Sequence, residues 1–273
     1  MANMTTTTGD VFIPEVWSKM VLMATEPELV LANLVTRLDS DVAGKGKSIH
    51  VPNVSSLAAN DKVAGSEVQL QAPTETEVEV TIDQHKESSF LVEDILALQA
   101  DYSLSKMYSE KAGKAIAKAI DSSIAALASG FSTTYGTYNT AITTDVILDS
   151  IEALDEADVP MSDRHFVYRP DVKRDLLDLS TYTSKDFVSG APVSSGLIGD
   201  LYGVKTYMST NIVKTGNNTD NMLFHKEAIA LAMQQSPRVQ SEYSAKDLGT
   251  VVVVDTVYGV KELRDDFGVL IKT

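Results

Sequence analysis

Two short stretches near residue 45 hold residue types that could bind a phosphate group or a calcium ion. The run Lys45-Gly46-Lys47-Ser48 resembles the end of a phosphate-binding loop, but Asp41 stands where that motif needs its first glycine, and a strand follows where it needs a helix. Asp39, Asp41 and Gly44 resemble the start of a calcium loop, but the glycine offset is wrong and His50 replaces the closing glutamate. Both stretches are therefore interpreted as turns.

The remaining candidates for chemistry are four histidines and a group of carboxylates. The histidines lie in or beside predicted strands, and no two have the spacing of metal ligands: His50, His85, His165 and His225. The sequence contains no Gly-x-Ser-x-Gly motif and no cysteine. We therefore predict no catalytic residue, no metal site and no cofactor.

The carboxylates between residues 149 and 158 share the polar face of a predicted amphipathic helix: Asp149, Glu152, Asp155, Glu156 and Asp158. A solvent-exposed face explains them without chemistry, because a general acid and base would also need a pocket. An enzyme with a site in residues 131–220 remains an alternative. A tight pocket with strongly shifted carboxylate pKa values would favour it.

Composition and charge limit the classes of function. The 273 residues are 44% hydrophobic and 22% charged, which is an ordinary globular composition. The net charge is −15, and none of five consecutive segments along the chain is net positive, so binding by neutralisation of phosphates is not expected. The net negative charge either increases the solubility of the protein or prevents its surface from binding nucleic acid. The first residues do not form a signal peptide, and no apolar stretch approaches the length of a membrane-spanning helix.

A long polar connection between two strands is the most informative feature of the organisation. Residues 47–54 are predicted as one strand and residues 76–92 as its partner, in which apolar residues alternate with Glu75, Glu77, Glu79 and Asp83. About twenty residues with little apolar content separate the two strands, and compact domains seldom contain such a connection. We therefore predict a projecting arm that packs on another subunit.

The strongest helical pattern covers residues 94–128 and keeps Ile116, Ile120 and Ile124 on one apolar face. An α/β region follows, with a short helix expected at 227–233. The C-terminal part is predicted to be rich in strands, at 238–243, 250–263 and 267–271. The segment 250–254 (Thr-Val-Val-Val-Val) has no polar face, so we expect the strand 250–263 to be buried on both faces where it begins.

Three stretches, in this order, resemble the major capsid proteins of tailed bacteriophages, which have the Hong Kong 97-like head fold. They are the hairpin running into the helix (78–128), the glycine-punctuated run Gly-Leu-Ile-Gly-Asp-Leu-Tyr-Gly-Val-Lys (196–205), and the ending with 223–230, 240–243 and the last strand pair. The resemblance implies an α+β fold. It further implies an N-terminal arm (1–40), an extended β-hairpin loop (41–93), a spine helix of the periphery domain (94–130), an axial domain (131–250) and C-terminal strands returning to the periphery domain (251–273).

The same resemblance implies a head-shell subunit that forms pentamers and hexamers of an icosahedral capsid, with no membrane partner. The shell would be assembled in the bacterial cytoplasm with a separate scaffolding protein and a portal. It would enclose double-stranded DNA without sequence-specific binding. An encapsulin-like compartment shell is the main alternative. Six residues are predicted to contact neighbouring subunits: Trp17, Val54, Leu57, Lys62, Val68 and Leu70.

Overall fold

The computed structural model describes residues 30–42, 46–53, 57–62, 64–65, 67–68, 70–94, 103–179 and 200–273, without the side chains of 103–107 and 110. The helices of this part are α1 (Ser103–Ala126), α2 (Thr144–Glu156) and α3 (Pro170–Asp178). The strands are β1 (Thr36–Arg37), β2 (Ser48–Asn53), β3 (Thr76–Thr81), β4 (Gln84–Glu93), β5 (Thr133–Gly136), β6 (Arg164–Tyr168), β7 (Lys205–Met208), β8 (Lys214–Thr215), β9 (Asn218–His225), β10 (Ile229–Ser244), β11 (Gly249–Glu262) and β12 (Gly268–Lys272).

A four-stranded sheet in the order β1-β10-β11-β4 packs one face against α1. Ile116, Ile120 and Ile124 of α1 are buried, as their spacing along the sequence predicts. The Tyr258 hydroxyl of β11 lies 2.9 Å from the Ser123 hydroxyl of α1 and joins the two layers. Helix and sheet therefore form one apolar core with a buried polar contact.

A second sheet follows the order β5-β12-β9-β6-β7, and β8 pairs with β9. Helix α2 lies against β5 and β12, and Leu154 of α2 is fully buried in the same core as α1. The predicted carboxylate face of α2 is exposed, as expected. One of these carboxylates, Asp155, forms an ion pair of 2.6 Å with the buried Arg164.

The predicted partner strand 76–92 is in fact two strands. Only β3 pairs with β2, from Ser48↔Thr81 to Asn53↔Thr76, whereas β4 pairs with β11. The chain changes partner at Ile82–Asp83. Pairing with β11 places Phe90 partly buried against the core near α1, with its ring centroid 5.7 Å from that of Tyr108.

Two further expectations about the C-terminal half are wrong. The predicted helix at 227–233 is a single 3-10 turn (Lys226–Ala228) followed by β10, because the buried run from Ile229 to Met233 is held by strand pairing on the β11 side. A short apolar run gives no periodicity that separates helix from strand. The segment 250–254 is not buried on both faces, because Val252 and Val254 face α1 whereas Val251 and Val253 remain partly exposed.

Each of the two sheets contains strands from both sides of the domain boundary that is predicted at residue 250. Strand β10 precedes this boundary but lies in the sheet under α1, and β12 follows it but lies in the second sheet. The division into arm, loop, spine helix, axial domain and returning strands remains a prediction. The N-terminal part of the predicted arm (1–29) lies outside the described residues.

Asp121 of α1 joins three segments that are distant in sequence. Its carboxylate accepts hydrogen bonds from the backbone N–H groups of Val30 (3.1 Å) and Ala32 (3.3 Å) and from the Asn211 side chain (3.2 Å). The side chain is fully buried. Burial raises the pKa of Asp121, while these hydrogen bonds act in the opposite direction.

We expect Asp121→Ala to lower the free energy of unfolding by at least about 2 kcal/mol, because it leaves several buried donors without an acceptor. Asp121→Asn retains one acceptor oxygen and should lose less. The measurement is urea unfolding followed by circular dichroism, with Asp149→Ala on the exposed face of α2 as the control. An Asp121→Ala variant within about 0.5 kcal/mol of the parent chain would contradict this role.

Candidate functional site

The connection between β2 and β3 forms an arm with an exposed surface. Every described residue from 57 to 75 is exposed, and Leu57, Val68 and Leu70 have 68%, 70% and 94% of their surface accessible. The Gln71 side chain bonds to the backbone of Ala58 and so links the two limbs of the arm. These three exposed apolar side chains on a polar arm make the arm a candidate surface for contact with another molecule.

The base of the hairpin, unlike the arm, packs on its own subunit. Val80 is fully buried in a small cluster with Val42, Ala230 and Ala232, and Ile49 and Val51 of β2 pack against it. The base of the hairpin thus has a core within its own subunit, whereas packing of the arm on another subunit stays a prediction. The core that supports it is assembled from β10 and from residues near 40, which are far from the hairpin in sequence.

Gly259 of β11 allows the hairpin to approach the sheet closely. A Cβ atom on Gly259 would lie 2.1 Å from the carbonyl oxygen of Thr81, the last residue of β3. The absence of a side chain therefore lets the end of β3 cross over β11. This contact sets where the arm leaves the body of the molecule.

The outward face of the hairpin is acidic. Glu75, Glu77 and Glu79 are exposed, which confirms the alternation predicted for this strand. The His50 ring on β2 lies 3.2 Å from the Glu77 carboxylate. One face of the hairpin thus packs on the body while the other presents carboxylates to solvent.

The structure describes only four of the six residues that are predicted to contact neighbouring subunits. Leu57, Lys62, Val68 and Leu70 lie on the exposed arm, whereas Trp17 and Val54 lie outside the described residues. The distribution of the four arm residues along both limbs is compatible with a contact surface. Their contact with a neighbouring subunit stays a prediction.

A polar network that was not predicted from the sequence lies on the sheet face opposite α1. The Asp255 carboxylate on β11 accepts hydrogen bonds from Arg238 (2.8 and 3.1 Å) and Gln235 (2.9 Å) of β10 and lies 3.2 Å from the Nε2 atom of His85 on β4. The Arg238 guanidinium is the main reason that the pKa of Asp255 falls to about 2. The network joins three strands where the pairing of β10 with β11 is irregular.

Three of the four histidines have a polar partner for a ring nitrogen, whereas the Nδ1 atom of His165 has none. His50 and His85 contact carboxylates, and the Nδ1 atom of His225 accepts a hydrogen bond from the Glu227 N–H. The Nδ1 atom of the buried His165 has no hydrogen-bond partner, because the ring is enclosed by Tyr207 and Phe224. Burial lowers the pKa of His165, so the ring is held in its neutral form.

The region proposed for an enzyme site contains an open groove of about 410 Å³ near Asp171. Burial opposes ionisation of Asp171, but hydrogen bonds from Lys214 and from the Val172 N–H outweigh it and lower its pKa. A carboxylate paired with Lys214 at 2.6 Å is typical of a structural ion pair. Among the described residues, no three carboxylate or imidazole groups are placed to hold a metal ion, and no helix could cross a membrane.

Comparison with known proteins assigns the fold. The chain of a solved structure titled Mycobacterium phage Che8 is 28% identical, with 89% of this chain and 90% of that chain covered and a TM-score of 0.77. A capsid structure of the cyanophage P-SCSP1u is 19% identical, with 87% and 86% covered and a TM-score of 0.70. A virus-like particle from Pyrococcus furiosus is 13% identical, with 95% and 99% covered and a TM-score of 0.64. No curated protein matches the chain.

These similarities, with the arm and the long helix over the sheet, define the α+β fold of tailed-phage capsid proteins. The sequence model of the phage capsid protein family matches residues 28–265. The chain belongs to the phage capsid protein family, as its resemblance to this family predicted. Membership of this family indicates that the protein is a structural component of a self-assembling viral shell.

The lowered pKa of Asp255 predicts a loss of stability in acid. In the unfolded chain an aspartate has a pKa of about 3.9. The folded-state pKa is lower, so the contribution of Asp255 is complete above pH ~4 and is lost as the pH falls towards about 2.

We expect Asp255→Asn to be less stable than the parent chain by about 1–2 kcal/mol near neutral pH, with a difference that shrinks by about 1 kcal/mol at pH ~3. Urea unfolding at both pH values measures this difference. Asp247→Asn, on the exposed turn between β10 and β11, is the control. A difference that does not change with pH would contradict the paired state of Asp255.

Proposed function

We propose that this protein is the major capsid protein of a tailed double-stranded DNA bacteriophage and forms the pentamers and hexamers of its icosahedral head. The observation that carries the proposal is the match of the phage capsid family to residues 28–265, which include the hairpin, the long helix, the four-stranded sheet and every strand of the second sheet except β12. The protein acts through geometry rather than chemistry. Its groove at Asp171 and its histidines have structural explanations and require no catalytic role.

The arm is the element that we assign to contacts between subunits. Its base is fixed to the body by Val80 and by the close approach of Thr81 to Gly259. Its two limbs carry the exposed residues Leu57, Lys62, Val68 and Leu70. An arm with a fixed base and exposed limbs can extend to the next subunit. Each subunit would then be bound by the arms of its neighbours. Trp17 and Val54 belong to the same proposed contact set.

The remaining partners follow from the same proposal. A separate scaffolding protein and a portal would direct assembly in the bacterial cytoplasm, and the finished shell would enclose the genome as part of the virion. The net charge of −15 suits a wall that confines DNA without binding it.

A compartment shell that encloses cargo proteins is the second candidate. The similarity to the virus-like particle from Pyrococcus furiosus favours it, since that match covers 95% of this chain. The identity of 13% supports a common fold alone, whereas the family match is to phage capsid proteins. A gene for a portal beside this gene would favour the phage head, and a gene for a ferritin-like cargo would favour the compartment.

Negative-stain microscopy of the purified protein, alone and after expression with the neighbouring genes, tests the proposal. We expect closed shells of uniform size built from rings of five and six subunits. A protein that stays monomeric under every condition, including co-expression with its scaffolding protein, would overturn the proposed function.

We expect replacement of residues 55–74 by a short glycine-containing turn to leave the subunit folded but unable to form closed shells. The physical reason is that the arm is exposed, whereas the hairpin base keeps its own core. Circular dichroism reports folding, and sedimentation with microscopy reports assembly. The full-length variant Leu57→Ser/Val68→Ser/Leu70→Ser separates loss of the apolar side chains from loss of length. Shells at the normal yield from the shortened chain would refute the role of the arm.

We also expect the unassembled subunit to show no measurable affinity for duplex DNA near physiological salt, because no segment of the chain is net positive. Fluorescence anisotropy with a labelled duplex across a range of salt concentrations is the measurement. A basic DNA-binding protein serves as the positive control. Saturable binding in the micromolar range or tighter, weakening steeply with salt, would contradict the expectation.

A further inference from the structure

The outer edge of β10, which is the edge away from β11, is covered only where the strand begins. Strand β1 pairs with it at residues 230–231, and the Asp39 carboxylate accepts a hydrogen bond from the Met233 N–H. Beyond this point, in the described part of the chain, no strand pairs with the outer edge as far as Ser244. An open edge presents unpaired N–H and C=O groups that another strand can complete.

The regular part of this open edge begins after Pro237. This proline lies where the pairing of β10 with β11 is irregular, and it has no N–H to donate to a neighbouring strand. From residue 238 to residue 244 the pairing is regular. An open groove of about 710 Å³ follows this part of the edge and is lined by residues 239–244 with Val251 and Val253. The backbone that is available to an added strand is therefore that of 238–244.

The exposed side chains of this edge carry charges of opposite sign at a regular spacing. Arg238, Gln240 and Glu242 alternate along β10 and are exposed on the sheet face opposite α1. The Nε and Nη2 atoms of Arg238 donate to the Asp255 carboxylate, which fixes the guanidinium, while 51% of the Arg238 side chain stays accessible. A fixed and accessible cation thus lies two positions before Gln240, and an accessible anion lies two positions after it.

A two-fold axis at Gln240 would make this edge complementary to itself. In an antiparallel pair of two such edges, Gln240 lies opposite Gln240 of the second copy, and Arg238 lies opposite Glu242. The arginine–glutamate pair then forms twice, once on each side of the axis. Side chains that lie opposite each other have Cβ atoms about 4.5–5.5 Å apart, which is within reach of an ion pair. An axis at residue 239 or 241 would place Arg238 opposite an uncharged residue.

We propose that the outer edges of β10 from two adjacent copies of this chain pair antiparallel about an axis at Gln240 and join their four-stranded sheets into one continuous sheet. The proposal rests on the proposed function, because the shell is what brings two copies together. The charge order selects a second copy as the occupant, since the edge itself supplies the complementary strand. A contact of seven residues is small, so it acts where neighbouring contacts already hold the copies together.

The absence of cysteine allows the axis to be located by crosslinking. Gln240→Cys places a thiol on the axis beside its equivalent, whereas Glu242→Cys places its thiol four residues of strand, or ~13 Å, from its equivalent. In assembled particles, treated by mild oxidation or with a short bis-maleimide, we expect linked dimers from Gln240→Cys at least about fivefold above those from Glu242→Cys. Non-reducing gel electrophoresis measures the yield, and thermal unfolding confirms that each subunit is folded.

Charge reversal at Glu242 tests the register. In the Gln240→Cys chain, Glu242→Lys places a cation opposite Arg238 twice and should lower the yield of linked dimers at least about fivefold. The loss should become smaller as salt is raised, because the repulsion is then screened. Asp149→Lys on the exposed face of α2 changes the net charge equally and should leave the yield unchanged. Arg238 is retained throughout because its bonds to Asp255 support the subunit. Equal yields from the two lysine variants would overturn the register.

The remaining outcomes separate this proposal from the proposed function. Parent shells in which Gln240→Cys gives no linkage, or no more than Glu242→Cys, would overturn the pairing of edges alone. A Gln240→Cys thiol that is neither linked nor labelled by maleimide in intact particles would show that another segment, such as residues 1–29, covers the edge, and would also overturn it. A parent chain that forms no shells under any condition would overturn the proposed function and this pairing with it.

Discussion

The buried carboxylate of Asp121 joins segments that are distant in sequence and that also share the apolar core beneath the long helix. Its oxygens accept hydrogen bonds from the turn at residues 30–32, which leads towards the hairpin, and from Asn211, which lies between β7 and β8 of the second sheet. Because an ionisable group is costly to bury without partners, the hydrogen bonds that Asp121 receives offset the cost of its burial. Together with the buried isoleucines of the same helix, this side chain fixes the long helix against the turn at residues 30–32.

The hairpin shows how one element serves two purposes. Its inner face belongs to the subunit, where Val80 fills a small apolar cluster and Thr81 passes over Gly259. Its outer face and the arm beyond it carry charged and apolar groups into solvent. An anchored base gives the exposed end a defined direction. This separation suits a protein that must fold alone and then bind copies of itself.

Several features could be predicted from residue patterns because neighbours in sequence produce them. The spacing of Ile116, Ile120 and Ile124 identified the buried face of the helix, and the alternating glutamates identified the wet face of β3. Patterns failed where a distant partner decides the outcome. Residues 84–93 left the hairpin to pair with β11, and the run from Ile229 to Met233 became a strand because β11 and β1 lie beside it.

The sequence by itself determined the class of fold, the exposed length of the arm and the absence of thiol chemistry, since these depend on composition, periodicity and element order. The tertiary structure alone decided that Asp121 is buried, that Asp255 gathers Arg238, Gln235 and His85, and that the arm has a core of its own at its base. The physical reason is that burial and hydrogen bonding depend on which distant strands and turns surround a side chain. Local periodicity contains no information about those partners.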